Sequence, residues 1–272
     1  VWPGDRDALA RALERIRRPS GADGTKSGRA VAVFGARGGA GVTFLATNLA
    51  AAFAARGATC VLADLDPFYT DVSVALGVSP NGGAPTIADL APVLDELTVE
   101  HVERVLYRHP RGFHTLLAPA VPGAVRLSPD HVGAVARTLR AAADVAILHL
   151  PRSLDDTTVA AMEAADDVLL VVTLDVVAFR DARRTLERLE AAGVDGRCKL
   201  VINRATRAEV APDDAEHVFG IRPVSVIRAD RSVGRAQNRG EVLAGRSGAA
   251  ARRVAALAER LLDHAAAEGG SA

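Results

Sequence analysis

Apolar positions fall into two rhythms along the 272 residues. Short continuous runs at Ala30 to Phe34, Thr59 to Ala63, Val145 to Leu150, Val168 to Thr173, Lys199 to Ile202 and Pro223 to Ile227 are rich in β-formers and apolar at successive positions. Strands of a parallel sheet covered on both faces have this pattern. Between them, apolar residues recur at three- and four-residue spacing, predicting helices over Thr43 to Arg56, Pro129 to Ala142, Ala178 to Ala192 and Ala249 to Ala267. Gly57 and Gly193 stand where a helix end calls for left-handed backbone. Repeated strand–turn–helix alternation predicts an α/β fold, a doubly wound and mostly parallel sheet with helices on both faces.

Two stretches depart from the alternation. Leu9, Leu13 and Ile16 share one face of a predicted helix over Asp5 to Arg18, and Pro19 to Gly28 supplies the Pro, Ser, Gly and Thr of a linker. Residues 1–28 therefore read as a helix and linker from an upstream domain, an expectation that the absence of an initial methionine strengthens, and residues 29–272 as one domain. From about Val78 to Pro122, Pro and Gly break two short helical candidates, Thr86 to Ala91 and Thr98 to Tyr107, which predicts an excursion from the core sheet.

Composition narrows the class of function. With 49% hydrophobic and 24% charged residues, the chain has the apolar content to bury a core. Lys plus Arg and Asp plus Glu both number 33, so no net field draws it toward DNA or an anionic membrane, and a DNA partner is not expected. Cys60 and Cys198 sit far apart in apolar runs, as buried thiols in a reducing compartment do. No stretch approaches the ~18 uncharged apolar residues of a membrane span, and a cytoplasmic location is expected.

Candidate chemistry begins after the first strand. Gly35-Ala36-Arg37-Gly38-Gly39-Ala40-Gly41-Val42-Thr43 is a glycine-rich turn leading into a helix opened by a hydroxyl residue. Glycines let successive backbone N–H groups face phosphate oxygens, and the helix start adds a favourable dipole. The usual phosphate-loop lysine would precede Thr43, and Val42 holds that place. A dinucleotide-binding turn is the competing reading, with Asp64 and Asp66 about twenty residues on, but Phe44 fills the position where a third small residue should stand.

Arg37-Gly38-Gly39-Ala40-Gly41-Val42-Thr43 resembles the deviant Walker A motif, K-G-G-x-G-K-T, of the MinD/ParA family of P-loop ATPases. Asp64-Leu65-Asp66-Pro67 is similar to its D-x-D-P element, Ala143 to Pro151 to its Walker B strand, and Val201-Ile202-Asn203-Arg204 to its adenine-contacting strand end. Phe68-Tyr69-Thr70-Asp71 and Leu150-Pro151-Arg152 look closest to the CpaE/TadZ branch, which localises pilus or secretion machinery and has an actinobacterial offshoot described as septum-site determining. The resemblance runs from about Arg29 to the C-terminus.

It implies nucleotide binding (ATP or ADP) by Arg37, Gly38, Gly39, Ala40, Gly41, Val42, Thr43, Phe44, Asn203 and Arg204, a Mg²⁺-ligating hydroxyl on Thr43, and a water-positioning acid at Asp66. It also implies a homodimer through the P-loop face, recruitment to a cell pole or septum, and partners in pilus, secretion or cell-division machinery. Three departures change the expected chemistry: Arg37 replaces the signature lysine, Val42 the catalytic lysine, and His149 the Walker B aspartate. Losing the ammonium removes charge-assisted hydrogen bonds worth about 1.5–3 kcal/mol each, and imidazole is a poor substitute for the hard oxygen that Mg²⁺ prefers. The expected result is a localisation or assembly factor with a degenerate site, a pseudo-ATPase that binds nucleotide weakly or not at all, holds Mg²⁺ weakly and hydrolyses ATP poorly. The alternative is an active ATP-dependent dimerisation switch in which the Arg37 fork replaces the lysine.

Simpler roles compete at several positions: turn acids for Asp64 and Asp66, a turn residue for Asn203, and a buried, hydrogen-bonded core histidine for His149, which is preferred over a ligand. His109 and His114 are separated by Pro110 and Gly112 and lack the further ligands of a metal site. Arg104, Arg108, Arg111 and Arg126 read as a solvated face. The last helix places Val254, Leu257, Leu261 and Leu262 together, but its polar face mixes Arg252, Arg253 and Arg260 with Glu259 and Asp263. Packing on the core therefore suits it better than membrane targeting.

Overall fold

The computed structural model describes residues 28–69, 71–79, 82–206 and 210–269. The helix and linker expected before Gly28 lie outside them. Each of the six predicted strands is present: β1 (Arg29–Phe34), β2 (Cys60–Asp64), β5 (Val145–His149), β6 (Asp167–Val172), β7 (Cys198–Ala205) and β8 (Ser225–Arg228). Their neighbours are all parallel, in the order β2-β5-β1-β6-β7-β8.

Side chains alternate along β1 in a way that explains the two-faced apolarity. Ala30, Ala32 and Phe34 join a core layer with α4 (Pro129–Ala142), α5 (Asp156–Glu163) and α6 (Val176–Ala191) through Leu139, Met162 and Phe179. Val31 and Val33 join the opposite layer with α1 (Val42–Ala55) and α9 (Ala249–Gly269). Helix α1 is buried at every position from Phe44 to Phe53, as a helix apolar all round must be. Val254, Leu257 and Leu261 of α9 are 2–3% exposed and packed in this layer, so the last helix is a core helix. Cys60 and Cys198 are buried free thiols.

The stretch from Val78 to Pro122 corrects an expectation. It holds a 3₁₀ turn series over Ile87–Glu96 and α3 (Val99–Arg104), but then returns to the sheet as β3 (Tyr107–Arg108) and β4 (His114–Leu116). β4 pairs parallel with β2, and β3 pairs antiparallel with β4, which completes an eight-stranded sheet. Helix α3 stops at Arg104 instead of reaching Tyr107. Two- and three-residue strands are too short to show a period; β4 pairs with β2, as in Val61 with His114, and β3 pairs in turn with β4. The shorter helices α2 (Asp71–Ala75), α7 (Pro212–Phe219) and α8 (Arg231–Gln237) complete the chain.

At the amino ends of the strands, Asp167 is 1% exposed and accepts ion-paired contacts from Arg29 (2.7 Å) on β1 and Lys199 (2.6 Å) on β7. This paired buried charge holds three adjacent strands in register. Their opposite, carboxyl ends therefore finish together, which is where a parallel sheet presents a ligand crevice.

Candidate functional site

Loops leaving β1, β2, β5, β7 and β8 enclose one cleft of about 1090 Å³ at the carboxyl edge of the sheet. The loop from Gly35 to Gly41 forms its centre, with Arg37, Gly38 and Gly39 exposed and Val42 and Thr43 half-buried. Gly41 is the N-cap of α1 at φ 101°, no side chain caps the helix, and no acid occupies its first turn. The first N–H groups of α1 thus remain open toward the cleft, where the helix dipole favours an anion.

The end of β7 clasps this loop from the side. Asn203 Nδ2 donates to the Ala40 carbonyl at 2.7 Å, and Arg204 Nη1 donates to the Gly39 carbonyl at 3.3 Å. Arg204 holds φ 54°, a left-handed conformation that costs a non-glycine residue on the order of 1 kcal/mol. The irregular register between β7 and β8 falls at the same point. Ten positions expected to act together, Arg37 through Phe44 with Asn203 and Arg204, all line the cleft, although the Phe44 ring is 3% exposed and belongs to the core.

Beneath the loop lies a chain of three polar side chains. Asp64 Oδ1 meets His149 Nδ1 at 2.9 Å, and His149 Nε2 meets Thr43 Oγ1 at 3.1 Å. Asp64 and His149 are 1% and 3% exposed. His149 is therefore a buried, hydrogen-bonded histidine, as preferred on sequence grounds. Asp66 also does turn work, its Oδ1 accepting from the N–H groups of Phe68 (3.0 Å) and Tyr69 (3.2 Å) while the residue lines the cleft.

Burial alone lowers the pKa of an imidazole, but the Asp64 carboxylate, helped by Asp66 and Asp71, outweighs it and raises the His149 value above the ordinary 6.5. Burial pushes Asp64 upward, opposed by His149. Three acids around one imidazole favour the imidazolium–carboxylate pair, so the His149 direction governs. A raised folded-state pKa contributes stability that is complete below the unfolded value of about 6.5 and is lost as pH climbs through the folded value. Melting temperature is accordingly expected to fall with pH above about 6.5. The same series on His149→Leu should lack that slope; equal slopes in the two proteins would exclude the assignment.

This arrangement does not suit Mg²⁺. The Thr43 hydroxyl is engaged by an imidazole nitrogen, and His149 offers nitrogen where hard oxygen is wanted. The buried Asp64 Oδ2 lacks a hydrogen-bond partner among the described residues.

Several residues in or beside the cleft carried no sequence signal as a group. Asp181 on α6 pairs with Arg37 at 3.6 Å. Arg152 lies over the Tyr69 ring, 5.5 Å from its centroid, and donates to the Tyr69 hydroxyl at 3.3 Å. Arg228, Arg231 and Arg235 line the far wall, contributed by the end of β8 and by α8. A strand end followed by Asp230, which caps α8 by accepting from Ser232 N–H, marks that wall in the sequence. Elsewhere, His109 stacks on Phe113 at 4.4 Å, and burial with Arg111 pushes its pKa down to about 4. Arg104, Arg108, Arg111 and Arg126 are exposed.

Comparison with known proteins agrees with this geometry. The chain is 31% identical over 227 residues to an uncharacterized protein of Mycobacterium tuberculosis, covering 84% of this chain and 62% of that protein. It is 25% identical over 224 residues to the septum site-determining protein MinD of Synechocystis, covering 79% and 81%. The structure of MinD from Pyrococcus horikoshii complexed with Mg-ADP superposes with a TM-score of 0.74 at 21% identity, over 86% of this chain and 95% of that one. Residues 31–243 match the CobQ/CobB/MinD/ParA nucleotide binding domain, and the chain belongs to that family.

Proposed function

We propose that the protein is a CpaE/TadZ-like localisation or assembly factor, serving pilus or secretion machinery or septum-site placement, in which the ATPase fold is kept as a scaffold. Its cleft binds nucleotide weakly through Gly38 to Thr43, with Asn203 and Arg204 at the base side, and it hydrolyses ATP poorly or not at all. The observation that carries this reading is the pair of changes at the phosphate end: Val42 where a lysine would reach the phosphates, and His149 holding the Thr43 hydroxyl. The MinD relative's name supports a positioning role, and the Mg-ADP complex of the structural neighbour supports nucleotide as the ligand class.

The same edge of the sheet supports a homodimer through the P-loop face. Phe68, Tyr69, Val176 and Val177 are 60%, 50%, 74% and 39% exposed on the segments flanking the cleft. Apolar side chains gathered at one edge favour covering by a second copy.

Two measurements test the reading. Mg-ATP turnover should stay near background; turnover matching lysine-bearing relatives and abolished by Asp66→Ala would overturn it. Val42→Lys should tighten ADP binding about tenfold, the worth of one charge-assisted hydrogen bond, with Val42→Met as an apolar control of similar reach. The second reading, an active switch, draws on Arg37, which lines the cleft with half its side-chain surface exposed. A large loss of nucleotide binding and dimerisation in Arg37→Ala would favour the switch.

A further inference from the structure

The charge in the cleft is uneven in a way that a simple nucleotide does not require. Arg37 and Arg152 stand at the phosphate loop, where anionic groups belong. Arg228, Arg231 and Arg235 form a second positive group on β8 and α8, next to the β7 end that the proposed function assigns to the base. An adenine ring and an unmodified ribose are neutral and need no such group.

Position supports a separate subsite. β1 and β8 are separated by β6 and β7, three strand spacings of about 4.8 Å. The second group is therefore about 14 Å along the sheet from the glycine loop, a span comparable to a nucleotide stretched from its 5′ phosphates to its sugar and base. Arg231 and Arg235, four residues apart on α8, share a side of that helix.

Asp230, beside Arg231 in the cleft lining, offsets one of the three charges and leaves the group net positive. Asp230 uses Oδ1 to accept from Ser232 N–H at 2.8 Å and Oδ2 to accept from Ala250 N–H at 3.5 Å. Asp66 is turned to the Phe68 and Tyr69 amides. Among the described residues, Arg228, Arg231 and Arg235 form no ion pair, although nine other arginines do. Arg228 also borders an adjoining groove of about 650 Å³ with Arg252 and Arg253, so positive charge continues away from the loop.

We propose that the ligand of this cleft is a nucleotide phosphorylated at both ends, its 5′ phosphates on the Gly38–Thr43 loop and a 3′-side phosphate on Arg228, Arg231 and Arg235. The inference rests on the reading of the loop as a nucleotide cradle. It also accounts for the kept fold: a site that has lost the γ-phosphate machinery holds its ligand by the opposite end. Guanidinium forks suit phosphate oxygens, and two anchored ends restrict the ligand more than one.

The test compares ligands with equal numbers of phosphates. Calorimetric titration of the 272-residue chain at fixed ionic strength would use ADP, ATP and adenosine 3′-phosphate 5′-diphosphate, with the guanosine series in parallel. In at least one series, the 3′-phosphorylated ligand should bind ten or more times tighter than the triphosphate. Arg231→Ala/Arg235→Ala should reduce that ratio to within twofold, while Arg231→Lys/Arg235→Lys keeps most of it, which separates lost charge from lost folding. If ADP binds but the 3′ phosphate adds less than twofold in both series, the inference is overturned and the cradle reading stands. A preference unchanged by the alanine pair also overturns it. If no nucleotide binds, the cradle reading fails and the inference with it.

Discussion

Replacing His149 with leucine is expected to lower the melting temperature by about 10 °C, equivalent to about 3–5 kcal/mol for a domain of this size. The side chain links Asp64 on β2 to Thr43 on α1 across the carboxyl edge of the sheet. Leucine is apolar and fills similar space, so the dominant loss is electrical: Asp64, 1% exposed, is left as a buried carboxyl without its cation. Removing one member of a buried pair costs more than the pair contributes, because the survivor stays desolvated. Adding Asp64→Asn to His149→Leu should therefore recover at least half of the loss. A single-variant loss below about 1 kcal/mol, the level of an exposed pair, would show that the link is ordinary. So would a double variant no better than the single one.

That link also shows where sequence reading stops. His149 stands in an apolar strand, and burial with hydrogen bonding follows from that context. Its partners cannot be read locally, since Asp64 is 85 positions away and Thr43 is 106. The six core strands were legible because a strand covered on both faces is apolar at every position, a property of each segment alone. The helix ends at Gly57 and Gly193 were legible for a similar reason, with φ of 83° and 69° that favour glycine. β3 and β4 were not legible, being defined by pairing with a strand already in place.

The cleft divides along the same line. Gly35 to Thr43 is one continuous segment, so its phosphate-binding shape shows in the order of residues. Arg228, Arg231 and Arg235 acquire meaning only when β8 is placed three strands from β1. Asp181 likewise reaches Arg37 through the start of α6, which β6 sets beside the loop. Val42 and His149 were visible as substitutions in the family pattern, but not the hydrogen bond by which His149 takes up the Thr43 hydroxyl.

Gly41→Ala is expected to cost about 3 kcal/mol and to abolish nucleotide binding, whereas Gly39→Ala should cost about 1 kcal/mol. Both glycines have positive φ, 101° and 81°, so an alanine is strained at either position. They differ in surroundings. A Cβ on Gly39 meets nothing within 4 Å, while one on Gly41 would lie 2.1 Å from Asn203 Nδ2. The amide must move, and its hydrogen bond to the Ala40 carbonyl breaks, leaving that acceptor in a residue only 4% exposed. Orphaning a buried acceptor adds about 1–3 kcal/mol to the backbone strain. Thermal melts of both variants and of Gly41→Ala/Asn203→Ala measure this coupling: the double variant should lose less than the sum of its single changes. Equal losses for Gly41→Ala and Gly39→Ala would mean that the clasp contributes nothing. The expected inequality locates what holds the loop open to an anion. It is the Asn203 contact from β7, which requires neither a lysine at position 42 nor a metal.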